Sequence, residues 1–299
     1  TCSAAAEGGH LEVLHWARAN GCPWEEKGLY VATKNGHETV LRALIELGAD
    51  IEKAKDIGAT PLYTSAYHGH ETVVRALIES GADVNKASDD GVTPLLMAAQ
   101  EGHEAVMRAL IEMGADVNKA MDDGVTPLLM AAQEGHEAVM RALIEMGADV
   151  NKAMDDGVTS LLMASQEGYE AVMRALIEAG ADVNKAMDVG DTPLSMAAEN
   201  GHEAVVRALI EAGADVNKAS DDGVTPLVLA AHFSHEVLVR ALIEADADVN
   251  QARDDGATPL KTATRRSFRF SGMRARRDHG NAGVCCSEYR TKYTESPSS

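Results

Sequence analysis

The chain has 299 residues, of which 45% are hydrophobic and only 4% aromatic, and it carries a formal net charge of −20 at pH 7. An acidic body of this kind repels nucleic acid, and the absence of any run of about 18 apolar residues predicts no membrane span. The charge is uneven, because residues 261–299 hold nine Lys/Arg against three Asp/Glu and leave the remainder more acidic still.

Residues 1–26 read as a degenerate N-terminal unit that begins at Thr1 without a signal-like segment, as in a partial or processed chain. Within it AAAEGGHLEVLHWARAN, residues 4–20, has the pattern of the end of one helix and a complete second helix, and Cys22-Pro23-Trp24 stands where later units carry a longer connection. From residue 27 a 33-residue period takes over: glycines at 58, 91, 124, 157, 190, 223 and 256 keep one place in each cycle. Such a period signals a stacked array. Seven helix pairs are predicted, starting near Leu29, Pro61, Pro94, Pro127, Ser160, Pro193 and Pro226, and a truncated unit closes the array at 264.

The stretch Asp89–Ala120, DDGVTPLLMAAQEGHEAVMRALIEMGADVNKA, represents one unit, and the same 32 residues return unchanged at Asp122–Ala153 with Met121 between them. Asp89, Asp90 and Gly91 are turn formers. Thr93 then offers a helix cap and Pro94 occupies the first helical position, where its missing N–H costs nothing. Gly102 ends this short helix and leaves Leu95, Ala98 and Ala99 on its core side. After His103 a second helix runs to Met113, with Val106, Leu110 and Ile111 as one apolar stripe and Glu104, Arg108 and Glu112 as exposed i,i+4 ion pairs. Gly114 stops it, and Ala115 to Asn118 leads out to the next Asp-Asp-Gly turn as a projecting hairpin finger. One unit cannot bury its own stripe, so neighbours must stack.

The pattern G-x-TPL-x-x-AA-x-x-GH-x-x-V-x-x-LIE-x-GADVN, carried over residues 4–260, resembles the ankyrin repeat. The resemblance implies an all-α solenoid of helix-turn-helix units with short β-hairpin fingers. It also implies a protein-interaction scaffold whose finger tips and concave inner-helix surface hold the partner. The helical-hairpin repeat of roughly 34 residues lacks the TPL start and the GADVN finger. One departure is systematic: the His that customarily follows TPL is Tyr63, Leu96, Leu129, Leu162, Ser195, Val228 and Lys261, which puts one customary hydrogen bond in question. The resemblance further marks the Asn of each DVN, at 85, 118, 151, 184, 217 and 250, as a position that asparaginyl hydroxylases modify in the family. Turn formation is its plainer role.

Order fades toward the C terminus. Ser160 replaces Pro and Tyr169 replaces His in the unit after the identical pair, and Ser234 and Asp246 stand where helices elsewhere end on glycine. Past Ala263 no helix stripe is legible, so Val237, Leu242 and Ile243 lose part of their cover and a frayed or sticky end is predicted. Residues 265–299 read as a basic, disordered tail or as the product of a misread gene end. A sharper alternative folds arginines 265, 266, 269, 274, 276 and 277 back onto the acidic fingers, and Cys285-Cys286 beside them is a palmitoylation candidate.

The leading candidate site is a ladder: Asp89, Asp122, Asp155, Asp188, Asp221 and Asp254 share one finger position, with Asp90, Asp123, Asp156, Asp222 and Asp255 beside them. Stacked helices lie about 8 to 10 Å apart, and an extended chain advances about 3.3 Å per residue. A basic extended segment with Lys or Arg at every third residue matches those rungs. The plainer reading is turn chemistry on a solvated edge. Gln100, Glu101, Gln133, Glu134, Gln166, Glu167, Glu199 and Asn200 are expected to line the concave side and complete the partner surface. Met97, Met130, Met163 and Met196, like Met107, Met140 and Met173, read as core filler. Histidines 37, 70, 103, 136 and 202 are expected to bridge loops by hydrogen bonds.

No metal ligand set, cofactor motif or small-molecule site is indicated, and no nucleophile–base pair recurs. The cysteines Cys2, Cys22, Cys285 and Cys286 suit neither a disulfide framework nor a zinc site, which points to an intracellular, cytoplasmic or nuclear home. The expectation is a non-catalytic scaffold for another protein, with a basic partner segment as one candidate. Its alternatives are the substrate-recruiting arm of a larger ligase or kinase, and an array expanded by duplication without a dedicated partner.

Overall fold

A computed structural model describes residues 2–21 and 27–264. Inner helices α1 (Cys2–Glu7), α3 (Lys27–Lys34), α5 (Pro61–Tyr67), α7 (Pro94–Gln100), α9 (Pro127–Gln133), α11 (Ser160–Glu167), α13 (Pro193–Asn200), α15 (Pro226–Phe233) and α17 (Pro259–Thr264) alternate with outer helices. These are α2 (Leu11–Ala19), α4 (Glu38–Glu46), α6 (Glu71–Glu79), α8 (Glu104–Glu112), α10 (Glu137–Glu145), α12 (Glu170–Glu178), α14 (Glu203–Glu211) and α16 (Glu236–Glu244). Inner helices pack on inner helices and outer on outer, with the inner row making the closer approach. Fully buried Ala98, Ala99, Ala131 and Ala132 permit that approach.

Local chemistry sets the boundaries. Thr60, Thr93, Thr126, Thr159, Thr192 and Thr225 each accept the backbone N–H three residues on, at 3.1 to 3.3 Å. Each bond satisfies a donor the first turn leaves free. At the loop between helices Gly102 has φ 76°, and a Cβ there would stand 2.8 Å from the His136 ring of the next unit, so both conformation and space call for glycine. Ser234 and Asp246 adopt the same left-handed backbone at φ 61° and 64° without that freedom.

Two cores run along the solenoid. The larger lies between helix layers and takes Leu95, Val106, Met107 and Leu110 from one unit and their equivalents from the others. The second lies on the finger side and joins Tyr63, Leu96, Met97, Met121, Leu129, Met130, Met154, Leu162 and Met163. It accounts for four of the missing histidines: Tyr63, Leu96, Leu129 and Leu162 enter this apolar cluster, where a leucine costs nothing and an imidazole would lose its water. Where the cluster ends, Ser195 turns instead to its own helix start, donating from Oγ to the Thr192 carbonyl at 2.8 Å and accepting the Thr192 N–H at 2.8 Å.

Three expectations are corrected. The fingers are turns more than strands: Met121 donates its N–H to the Val125 carbonyl at 2.9 Å, yet the described residues hold one β-bridge, between Ala153 and Thr159. The chain passes too quickly from turn to helix cap for a ladder to form. Glu112 does not pair within its helix; it takes Arg75 of the preceding unit at 3.0 Å, while Arg108 pairs with its own Glu104 at 2.8 Å and with Glu145 of the next unit at 3.2 Å. These bonds, Glu104 foremost, raise the Arg108 guanidinium above its usual pKa. Leu242 keeps its cover, being fully buried with Leu238 and Ala247, because it points inward to the layer between α15 and α16. The outward-facing Val237, Ile243 and Leu260 are the exposed ones, at 49%, 47% and 74%. The Cys22-Pro23-Trp24 stretch and the 265–299 tail, with its arginines and cysteines, lie outside the described residues.

Candidate functional site

The finger edge is built from bonds between units. Asp155 donates its N–H to the Asp123 carbonyl at 3.2 Å, and Asp89, Asp188, Asp221 and Asp254 do the same to Ile57, Asp156, Val189 and Asp222, at 2.9 to 3.3 Å. So close is the approach that a Cβ on Gly124 would stand 2.7 Å from the Met154 Cα. The two rows of aspartates differ. Asp89, Asp122, Asp155, Asp188, Asp221 and Asp254 are exposed. Asp90, Asp123, Asp156 and Asp222 are half-buried, and the Asp123 and Asp156 carboxylates accept the N–H of Val125 and Val158 within their own turns, each at 3.2 Å. The inner row is turn chemistry, and Val189 interrupts it as an exposed apolar side chain.

Behind the tips runs a second ladder. Asn118 Oδ1 accepts the Asp149 N–H at 2.9 Å, its Nδ2 donates to the Gly147 carbonyl at 3.3 Å, and its own carbonyl accepts Lys152 Nζ at 2.7 Å. Its N–H meanwhile bonds Asp116 Oδ1 at 2.9 Å, the local turn that sequence reasoning assigned. The bridges between units are the larger part of its role. Asn85, Asn151, Asn184 and Asn217 repeat both side-chain bridges.

The inner-helix residues form a separate strip. A seven-residue helix is about 10 Å long, and with the finger at its start and Gln100 and Glu101 at its end, Leu95 to Ala99 lie buried between the two rows. Gln100 does not line an open surface; it is 7% exposed, its carbonyl accepts His136 Nε2 at 2.9 Å, and its amide lies 3.4 Å from Glu101. Glu101, Gln133, Glu134, Gln166 and Glu199 are half-buried, and Glu167 and Asn200 are exposed. Histidines 37, 70, 103, 136 and 202 each bond the carbonyl of Glu7, Lys34, Tyr67, Gln100 and Gln166 in the preceding unit, at 2.8 to 3.0 Å. His235 makes the same bond to Glu199 at 3.0 Å.

Sequence reasoning missed the two ends of this strip. Tyr67 meets His68 at 4.8 Å and 82°, and His232 meets Phe233 at the same distance and angle. These pairs sit where the middle units carry Gln-Glu, and the break in that pattern was the signal. Burial, with His70, Lys34 and His103 adding to it, lowers the His68 pKa to about 4. Burial first, then Glu101, raises that of Tyr67.

The ankyrin-repeat models match this geometry in sequence: a three-copy ankyrin model fits residues 2–88, 84–154 and 150–220, and a single-repeat model fits 222–255. The chain belongs to the ankyrin-repeat family. Ankyrin repeats are in general protein–protein interaction modules and are typically non-catalytic. No curated protein matches the chain. Among the described residues no helix of this ankyrin array is long and apolar enough to cross a membrane, and no three His, Cys, Asp or Glu side chains gather as a metal site.

Proposed function

We propose that the chain is a scaffold that holds another protein along its finger edge, through the outer aspartate row, with Glu101, Gln133, Glu134, Gln166 and Glu167 as a second strip. The observation that carries this reading is the contrast between the rows: the Asp123 and Asp156 carboxylates are bonded within their own turns, whereas the outer row is exposed on a backbone that Asp89, Asp155, Asp188, Asp221 and Asp254 tie from unit to unit. A basic extended segment of the partner fits such an edge by charge and by step.

Each exposed contact is worth about 0.3 kcal/mol at low salt, so five together amount to roughly tenfold in affinity. The test uses a labelled synthetic peptide with Lys at every third residue. Its anisotropy is followed with the wild-type chain and with a variant carrying Asp→Asn at 89, 122, 155, 188 and 221. Weaker binding by about tenfold at low salt, converging at high salt, supports the reading. Equal affinity of the two proteins at low salt refutes it.

A further inference from the structure

The joint between the unit of α9 and α10 and the unit of α11 and α12 differs from the others at its inner end. Every other His staple along the array has a ring nitrogen on the preceding carbonyl, but Tyr169 stands at this one. Its ring still packs over Gly135, which a Cβ would bring to 3.0 Å from the ring, yet a phenol has no ring N–H for the Gln133 carbonyl. The side-chain Oε1 of the same Gln133 is buried without a hydrogen-bond partner. At the other end of α11, Ser160 replaces the first-turn proline, is 1% exposed, and its Oγ also lacks a partner. Between them Ser165, fully buried where the preceding units have alanine, spends its hydroxyl on the Leu161 carbonyl at 2.7 Å, a bond that loosens the helix it serves. Buried polar atoms left unpaired, and a proline lost from a position it fits, each favour the open chain.

We infer that this joint is a built-in weak point at which the inner helices part first, so that the array behaves as two stiffer blocks meeting between Gln133 and Ser160. The finger and outer sides hold, because Asp155 remains bonded to Asp123, and Asn151 keeps its bonds to Asp182 and Gly180 at 2.9 and 3.1 Å. Opening is therefore a bend about the finger edge rather than a separation. It alters the angle between the aspartate rungs on the two sides. Stacked repeats couple only to their neighbours, so one poor interface divides such an array into cooperative blocks.

Hydrogen exchange read by mass spectrometry on the full chain tests this with an internal standard. Peptides from α7 and α9 have identical sequences, so equal protection gives one isotope envelope and unequal protection gives two. Two envelopes are expected in the wild type. In the variant Ser160→Pro, Tyr169→His, whose α11 peptide stays distinct in mass through Ser165, the faster envelope is expected to slow by about tenfold and merge with the slower. The converse variant Pro127→Ser, His136→Tyr is expected to bring rapid exchange to the preceding joint. A single envelope in the wild type, or a doublet that the restoring variant leaves unchanged, overturns the proposal.

Discussion

Asn118→Ala removes both side-chain bonds that tie one identical unit to the next, the 2.9 Å bond from the Asp149 N–H and the 3.3 Å bond to the Gly147 carbonyl. A net hydrogen bond contributes about 0.5 to 1.5 kcal/mol, and water reaches this edge, so the low half of the range applies and the pair amounts to about 1 to 2 kcal/mol. The array supplies its own partial control: Glu52 occupies the Asn place in an earlier unit, accepts the Asp83 N–H at 2.8 Å, and replaces the missing donor with an ion pair to Lys86 at 2.8 Å. Asn118→Asp keeps the acceptor and is expected to lose about half as much as Asn118→Ala. Urea unfolding followed by far-ultraviolet circular dichroism reads both, and a lower midpoint with an unchanged slope marks a loss of stability alone. An alanine variant as stable as the wild type, or an aspartate variant no better than alanine, would show that the bridges are geometric coincidence on a wet edge.

Gly124→Ala is expected to cost about 2 to 4 kcal/mol, through the left-handed backbone at φ 89° and the 2.7 Å approach to Met154. Gly114→Ala, at φ 100° with open space around it, pays only the backbone part, about 1 to 2 kcal/mol; paired urea midpoints separate the two. For His68, the folded pKa near 4 lies below the ordinary 6.5, so the unfolded chain binds the extra proton between those values. Stability thus falls as pH drops from 6.5 toward 4 and is unaffected above. After halving for the ring's partial exposure the loss at pH 5 is about 1 kcal/mol, and His68→Gln is expected to remove that share of the pH dependence of the midpoint.

Much of the fold was legible because each unit repeats its punctuation. Thr93-Pro94 fixes a helix start, Gly102 and Gly114 fix two ends, and the apolar stripe of α8 leaves only a neighbour to cover it. Bonds between units were the illegible part. The spacing of Glu112 from Arg108 suits a pair within one helix, and nothing in one unit reveals that Arg75, 37 residues earlier, is nearer. Asn118 looked like a turn residue for the same reason, since its partners lie 29 and 31 residues ahead. The finger-side core escaped notice because Met121 belongs to the link between two turns, and only stacking brings it against Leu96 and Leu129. At the candidate surface the aspartates were visible as a ladder, but the sequence alone did not separate carboxylates bound in their turns from those in solvent. Nor did it show Gln100 withdrawn into the stack.

The bridges between units span fixed separations of 29, 31, 34, 36 and 37 residues, and those across the two identical units join the same residue types, the 36-residue His bridge being broken only later, at Tyr169. A recombination that deletes residues 89–121 therefore rejoins every donor to an acceptor of the same kind: Asn85 inherits Asp149, and the Tyr67 carbonyl inherits His136. Gain of such a block is equally seamless. For this chain length is an inheritable variable separable from fold, and the number of rungs offered to a partner is free to drift in whole steps while each contact between steps stays the same.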